Sequence, residues 1–175
     1  RAALRELVAE LRRIVETENA DWFRLAPGYF TMHRGLSEAQ LGDDGQMKLG
    51  RLFSDKVIDL LGEPRDRAAP ITQREKDIAR STQAHFERAA ANCMRSLQNH
   101  VPMDNLAMAG GCALNGVMNA RIYRDFPVDR MYLQCASSDD GTAIGAAFHC
   151  WHVALGKAER FTMKHAFWGP EYPDW

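Results

Sequence analysis

"LAMAGGCALNGVMNARIY" (residues 106–123) and "VDRMYLQCASSDDGTAIGAAFHCWHVAL" (residues 128–155) decide the fold. Each opens on a short apolar stretch, passes through a loop of small residues and continues as a helical pattern. In the first, the strand "NLAMA" meets Gly110 and Gly111, and a helix runs from about Ala113 to Tyr123. In the second, "VDRMYLQC" leads into "ASSDDG" and then the helix "TAIGAAFHCWHVAL". Strands alternating with helices argue for an α/β class with a mainly parallel arrangement in this half. Ligands of such sheets sit beyond the carboxyl ends of the strands, where both loops emerge.

The two loops carry the chemistry. Gly110 and Gly111 let the backbone turn sharply and let a ligand approach amides at a helix N-terminus. A tight strand-to-helix turn without a ligand accounts for the pair equally well. The pair is neither GxGxxG nor a P-loop. Asn115, one turn on, has the reach to meet a ribose or an amide, or to be satisfied by nearby backbone. Asp139 and Asp140 precede Gly141 at the mouth of the last helix. Plain capping is favoured for this acidic pair, with a hard oxygen ligand for a divalent metal as the alternative. Gly145 and the alanines after it would let that helix lie close against its sheet.

Upstream, Leu4, Leu7, Val8, Leu11, Ile14 and Val15 recur at the spacing of one helix face, predicting a helix that ends near Asn19. "DWFRLAPGYFTMH" suits short strands around a bend at Pro27 and Gly28. A Gly/Asp turn follows, then a helix from about Ser54 to Leu61 stopped by Gly62 and Pro64. Thr72 and Glu75 form a capping box that opens a long helix through about Asn99. Ile78, Phe86, Ala89, Ala90, Cys93 and Leu97 are candidates for its buried face.

Composition narrows the function. The 175 residues fit one domain or half of a larger one, and are 46% hydrophobic and 26% charged. A net charge of -1 leaves no electrostatic footprint for nucleic acid or a membrane surface. No apolar run reaches the roughly 20 residues of a membrane span, and "RAALRELVAELRR" is too charged for a signal peptide. These features point to the cytoplasm. Cys93, Cys112, Cys135 and Cys150 lack CxxC pairing, so reduced and mostly buried thiols are expected. His149 and His152 lie on one helix turn, but without a third ligand at a recognisable spacing. His33, His85, His100 and His165 are scattered, and Ser54 lacks a GxSxG elbow, so nucleophilic hydrolase chemistry is unsupported. The opening within a helical pattern and the aromatic ending "HAFWGPEYPDW" lead us to expect a piece of a longer protein.

Taken in order, "LAMAGGCALNGVMNARIY" and "VDRMYLQCASSDDGTAIGAAFHCWH" resemble the O-carbamoyltransferase family of nodulation and antibiotic-tailoring enzymes. The family pattern is close to "LAGGCALN...NG.I" followed by "V.IQPAAGDAGTALGAA". "GRLFSDKVIDLLGEPR", "ITQREKDIARSTQA" and "HAFWGPEY" are similar to it too, so the likeness runs from about Trp22 onward. A more distant likeness is to the tRNA threonylcarbamoyl-adenosine synthesis family.

The resemblance implies one half of an actin/Hsp70/sugar-kinase-like (ribonuclease H-like) fold, with a central mixed sheet flanked by helices. Residues 1–175 would form a single domain, the C-terminal subdomain of a carbamoyltransferase N-terminal domain. It implies that carbamoyl phosphate and ATP give a carbamoyl-adenylate in a separate C-terminal domain, and that a hydroxylated small-molecule acceptor takes the carbamoyl group. It further implies a divalent metal, iron first and Mg or Mn as alternatives, held by two His of an HxxxH motif in the first half and by an Asp. By position that Asp is Asp139, and Gly110, Gly111, Asn115 and Gly141 fall on the nucleotide side. Asp140 stands where the family pattern has Ala. No HxxxH occurs in these residues, so this piece alone is expected to lack turnover, and no catalytic residue is assigned. Two other readings stay open: a non-catalytic nucleotide-binding or partner-interaction module of the same fold, and a sugar-kinase-like enzyme.

Overall fold

A computed structural model of the chain describes residues 2–18, 22–32, 40–48 and 50–173. The backbone divides into two compact units, Arg1–His100 and Val101–Trp175.

The first unit runs α1 (Ala2–Ile14), β1 (Val15–Glu16), β2 (Arg24–Leu25), β3 (Gln40–Leu41), β4 (Met47–Lys48), α2 (Asp55–Leu61) and α3 (Gln73–His100). β1 pairs antiparallel with β2, and β3 with β4 across a turn in which Gly45 takes a positive φ of 73°. α1 lies along α3, burying Leu11 and Ile14 on one side and Ala91 and Met94 on the other. The helix expected to end near Asn19 ends at Ile14, because Val15 and Glu16 take up strand pairing with Leu25 and Arg24; Asn19 itself lies outside the described residues, as does His33. Among the described residues of "DWFRLAPGYFTMH", strand pairing is confined to β2 and a bridge from Phe30 to Phe53, and Pro27–Tyr29 is a 3-10 turn. Proline at the first position of that turn supplies the φ it needs.

α2 stops where Gly62 adopts a positive φ of 82° and its amide donates to the Ile58 carbonyl at 2.7 Å. The capping box before α3 is present: the Thr72 amide donates to Glu75 Oε2 at 2.9 Å and the Thr72 hydroxyl to the same oxygen at 2.6 Å. The buried face of α3 differs from expectation. Ser81, His85, Ala91, Met94 and Ser96 are buried, while Ile78, Phe86, Ala89, Ala90 and Cys93 are half-buried and Leu97 is exposed. Ser81 and Ser96 are small polar residues within that buried set, and His85 Nε2 meets the Val15 carbonyl at 2.6 Å. Packing geometry, rather than hydropathy, selects the stripe.

The second unit contains β5 (Asn105–Met108), a 3-10 turn (Gly111–Leu114), α4 (Gly116–Asp125), β6 (Arg130–Leu133), α5 (Gly141–His149) and a π-helical turn (Cys150–Ala154). β5 and β6 are parallel, in register from Asn105 with Arg130 to Met108 with Leu133. α4 is their crossover, so the α/β reading holds for this unit. The strands of the described residues form three two-stranded pairs, two antiparallel and this one parallel. Leu106, Ala113, Met118, Ile122, Ala136 and Met163 form the buried apolar set, and the Tyr132 hydroxyl donates to the Met163 carbonyl at 2.9 Å.

Three expectations are corrected here. The helix drawn from Ala113 is broken at Asn115, whose extended φ/ψ of -79°/92° ends the 3-10 turn and starts α4. α5 does not lie close against the sheet at Gly145, where an added Cβ would have no atom within 4 Å. The thiols are free, but Cys112, Cys135 and Cys150 are exposed, because two sit on strand-end loops and the third follows the last turn of α5, on its open side.

Candidate functional site

The site lies where the chain leaves β5 and β6. After Met108 the backbone turns at Gly110, whose φ of 96° is a left-handed conformation that side-chain-bearing residues rarely adopt. The Gly110 amide donates to the Ser137 carbonyl at 2.6 Å, and the Gln134 amide to the Met108 carbonyl at 3.1 Å. These two bonds tie the glycine loop to the loop after β6. A Cβ on Gly111 would stand 3.7 Å from Ser138 Oγ, so the loops touch along their length. Gly111 and Cys112 head the 3-10 turn, where the geometry of the turn leaves their amides without intrahelical acceptors. Both residues are exposed.

Asn115 caps α4: its Oδ1 accepts from the Met118 amide at 2.9 Å. That oxygen is therefore used by the backbone. Gly141 also has a structural reason. An added Cβ would fall 2.1 Å from the Ala136 carbonyl oxygen, so the loop closes on itself at this point. The Gly141 amide donates to the Ser138 carbonyl at 3.0 Å.

Asp139 and Asp140 are exposed at the head of α5. Both stand at the helix N-terminus, where negative charge is favoured, but neither carboxylate makes a capping hydrogen bond among the described residues. Asp140 occupies the N-cap position without a side-chain bond, because it sits in the α region (φ -58°, ψ -32°) where its carboxylate cannot turn back onto the first amides. Asp139 contributes only its carbonyl, which accepts the Thr142 amide at 3.1 Å and the Thr142 hydroxyl at 2.6 Å. Among the described residues its carboxylate has no hydrogen-bonding partner. No group of three or more His, Cys, Asp or Glu side chains converges to hold a metal among the described residues. His152 Nδ1 lies 3.2 Å from the Lys157 carbonyl and its ring stacks on Phe148, while His149 is exposed.

The structure thus brings Gly110, Gly111, Ser137, Ser138, Asp139 and Gly141 into one pair of joined loops, with Asn115 and the buried Asn119 beneath them. Ser137, Ser138 and Asn119 are not apparent from motif reading. For Asn119 the usable signal is its spacing of one helical turn from Asn115. No helix among the described residues is long and apolar enough to cross a membrane.

The pattern of the carbamoyltransferase N-terminus family matches residues 48–148, a span that includes both loops. The chain is similar to the uncharacterised protein sll1178 of Synechocystis sp., at 36% identity over 143 residues, covering 81% of this chain and 21% of the relative. It is similar to the nodulation protein NolNO of Sinorhizobium fredii at 30% identity over 144 residues, 79% of this chain and 21% of the relative. The nodulation protein NolO of Bradyrhizobium diazoefficiens matches at 30% identity over 107 residues, 61% of this chain and 20% of the relative. The chain therefore spans about a fifth of the length of these relatives. With the family pattern covering more than half of its residues and enclosing the joined loops, the chain belongs to the carbamoyltransferase N-terminus family.

Proposed function

We propose that this chain is the nucleotide-facing half of the catalytic domain of an O-carbamoyltransferase, with an actin/Hsp70-like architecture completed by the rest of the parent protein. Water splits carbamoyl phosphate into carbamate and inorganic phosphate, the carbamate oxygen bonds to the α-phosphorus of ATP as pyrophosphate leaves, and an acceptor hydroxyl takes the carbamoyl group from the resulting carbamoyl-adenylate, losing its proton. The acceptor oxygen bonds to the carbamoyl carbon as that carbon's bond to the phosphate oxygen breaks, and AMP leaves. The observation that carries this reading is the junction of the two strand-end loops through the 2.6 Å bond from Gly110 to Ser137, inside the family-matched span.

In this reading the Gly111 and Cys112 amides face a phosphate, as amides heading a helical turn do. Asn115 and Gly141 hold the two loops in shape. Asp139 fits the role of one metal ligand: its carboxylate is exposed, without a hydrogen-bonding partner among the described residues, and a hard anionic oxygen suits iron, Mg or Mn. One carboxylate does not make a site, and the remaining ligands belong to the parent's other half. A bound cation would neutralise phosphate charge and orient the acceptor.

The test is carbamoyl transfer by the full-length protein, supplied with ATP and carbamoyl phosphate, with and without added iron, against a panel of hydroxylated acceptors. Asp139→Ala should cut turnover by roughly two orders of magnitude while the melting temperature holds. Full activity in that variant removes Asp139 from the site, and absence of ATP-dependent transfer by the wild type removes the function.

A further inference from the structure

Asn119 lies one turn into α4 and is 7% exposed, yet it faces backbone rather than solvent. Its Nδ2 donates to the Ala113 carbonyl at 2.7 Å, reaching back from α4 into the 3-10 turn that carries the glycine loop. Its own amide donates to the Asn115 carbonyl at 3.0 Å, and Asn115 Oδ1 accepts from Met118. At the other end of the turn the Ala113 amide donates to the Gly110 carbonyl at 2.9 Å, and the Gly110 amide to Ser137. The turn is therefore clamped twice: by Ser137 where it enters and by Asn119 where it leaves. Between the clamps stand the Gly111 and Cys112 amides. Asn119 Oδ1 is buried without a hydrogen-bond partner. A side chain kept in the interior with half its polar capacity unused points to a need for the other half.

We propose that Asn119 is a positioning residue for the nucleotide. Its bond to the Ala113 carbonyl fixes the plane of the turn, and so the direction in which the Gly111 and Cys112 amides present their hydrogens to a phosphate. Without that donor the Ala113 carbonyl is released, the turn rotates, and the amides lose their common direction. Asn119 touches no ligand itself. This rests on the nucleotide reading of the loop given above.

The experiment uses the full-length protein, with Asn119→Leu as a near-isosteric replacement that deletes both polar groups and Asn119→Asp as one that keeps the shape and deletes the donor. Affinity for AMP, the nucleotide part of the carbamoyl-adenylate, is measured by calorimetry, and KM for supplied carbamoyl-adenylate and kcat in the transfer assay. Both variants should weaken AMP binding about tenfold and raise that KM to match, with kcat at saturation close to wild type. A merely structural role would lower the folded fraction and so kcat, leaving KM where it was. Unchanged AMP affinity in a folded Asn119→Leu protein overturns the assignment, and so does failure of both variants to fold. If wild-type protein does not bind AMP, the nucleotide reading itself fails, a result separate from either of these.

Discussion

Gly141 and Gly145 are one helical turn apart in α5 and have opposite reasons to be glycine. At Gly141 a methyl group would be forced onto the Ala136 carbonyl oxygen at 2.1 Å, and neither atom can move without opening the loop after β6. Gly141→Ala is therefore expected to destabilise the protein by more than about 2 kcal/mol. At Gly145 a methyl group meets nothing within 4 Å. Gly145→Ala should stabilise by about 0.5–1 kcal/mol, through helix propensity alone. Urea unfolding of the two variants checks both signs, and equal effects would refute the distinction. The sequence presents the two glycines alike, and motif reading assigns Gly141 to close approach of a ligand. The atom that approaches Gly141 is the chain's own carbonyl, a fact that requires the loop's path through space. Asn115 shows the converse. The sequence leaves its side chain between a ligand and nearby backbone, and its Oδ1 accepts from the Met118 amide at 2.9 Å, which makes it the cap of α4.

Among elements, α3 has two titrating groups with opposite lessons. The Thr72 hydroxyl, and then its amide, hold the Glu75 carboxyl down to about 2 from an ordinary 4.5. A carboxyl with a lowered folded value contributes above its unfolded value and loses that contribution as pH falls. The first turn of α3 should therefore fray between about pH 4.5 and pH 2, read as loss of amide exchange protection. Thr72→Val should move the Glu75 titration, followed by carboxyl NMR, back toward the ordinary range. His85 behaves differently. Burial against α1 pushes its imidazole below 6.5; the Val15 carbonyl works against this, Arg88 and Arg12 reinforce it, and Glu18 opposes it. A base whose folded value is lowered favours the neutral form, so its contribution is complete above the unfolded value and is lost as pH falls below about 6.5. The urea midpoint should be lower near about pH 5.5 than near about pH 7.5, and His85→Leu should shrink that difference. The capping box was readable because Thr72 and Glu75 are three residues apart. His85 was not, because its neighbours Val15 and Arg12 come from a different helix-strand segment.

For the whole molecule, the second unit leaves several large apolar side chains exposed. Trp151, Val153, Leu155, Phe167, Trp168 and Tyr172 are all exposed, Phe167 at 89%. Surfaces with such side chains mark interaction sites or drive association. The isolated chain is expected to bind a hydrophobic dye and to associate with rising concentration in sedimentation, and the full-length protein to do neither. A monomeric chain with no dye enhancement would contradict this. The amino-acid sequence by itself determined the α/β alternation, the glycine stop of α2 and the capping box of α3, because each is set by spacing along the chain, and membership of the carbamoyltransferase N-terminus family through its likeness to that family's pattern. Only the tertiary structure decided that Ser137 and Asn119 clamp the glycine loop, that Ala136 requires Gly141, and that His85 is buried against the Val15 carbonyl. Those contacts depend on the path a loop takes or on residues brought in from another segment, and a hydrogen bond at 2.6 Å or a forbidden approach at 2.1 Å exists only once the chain is folded.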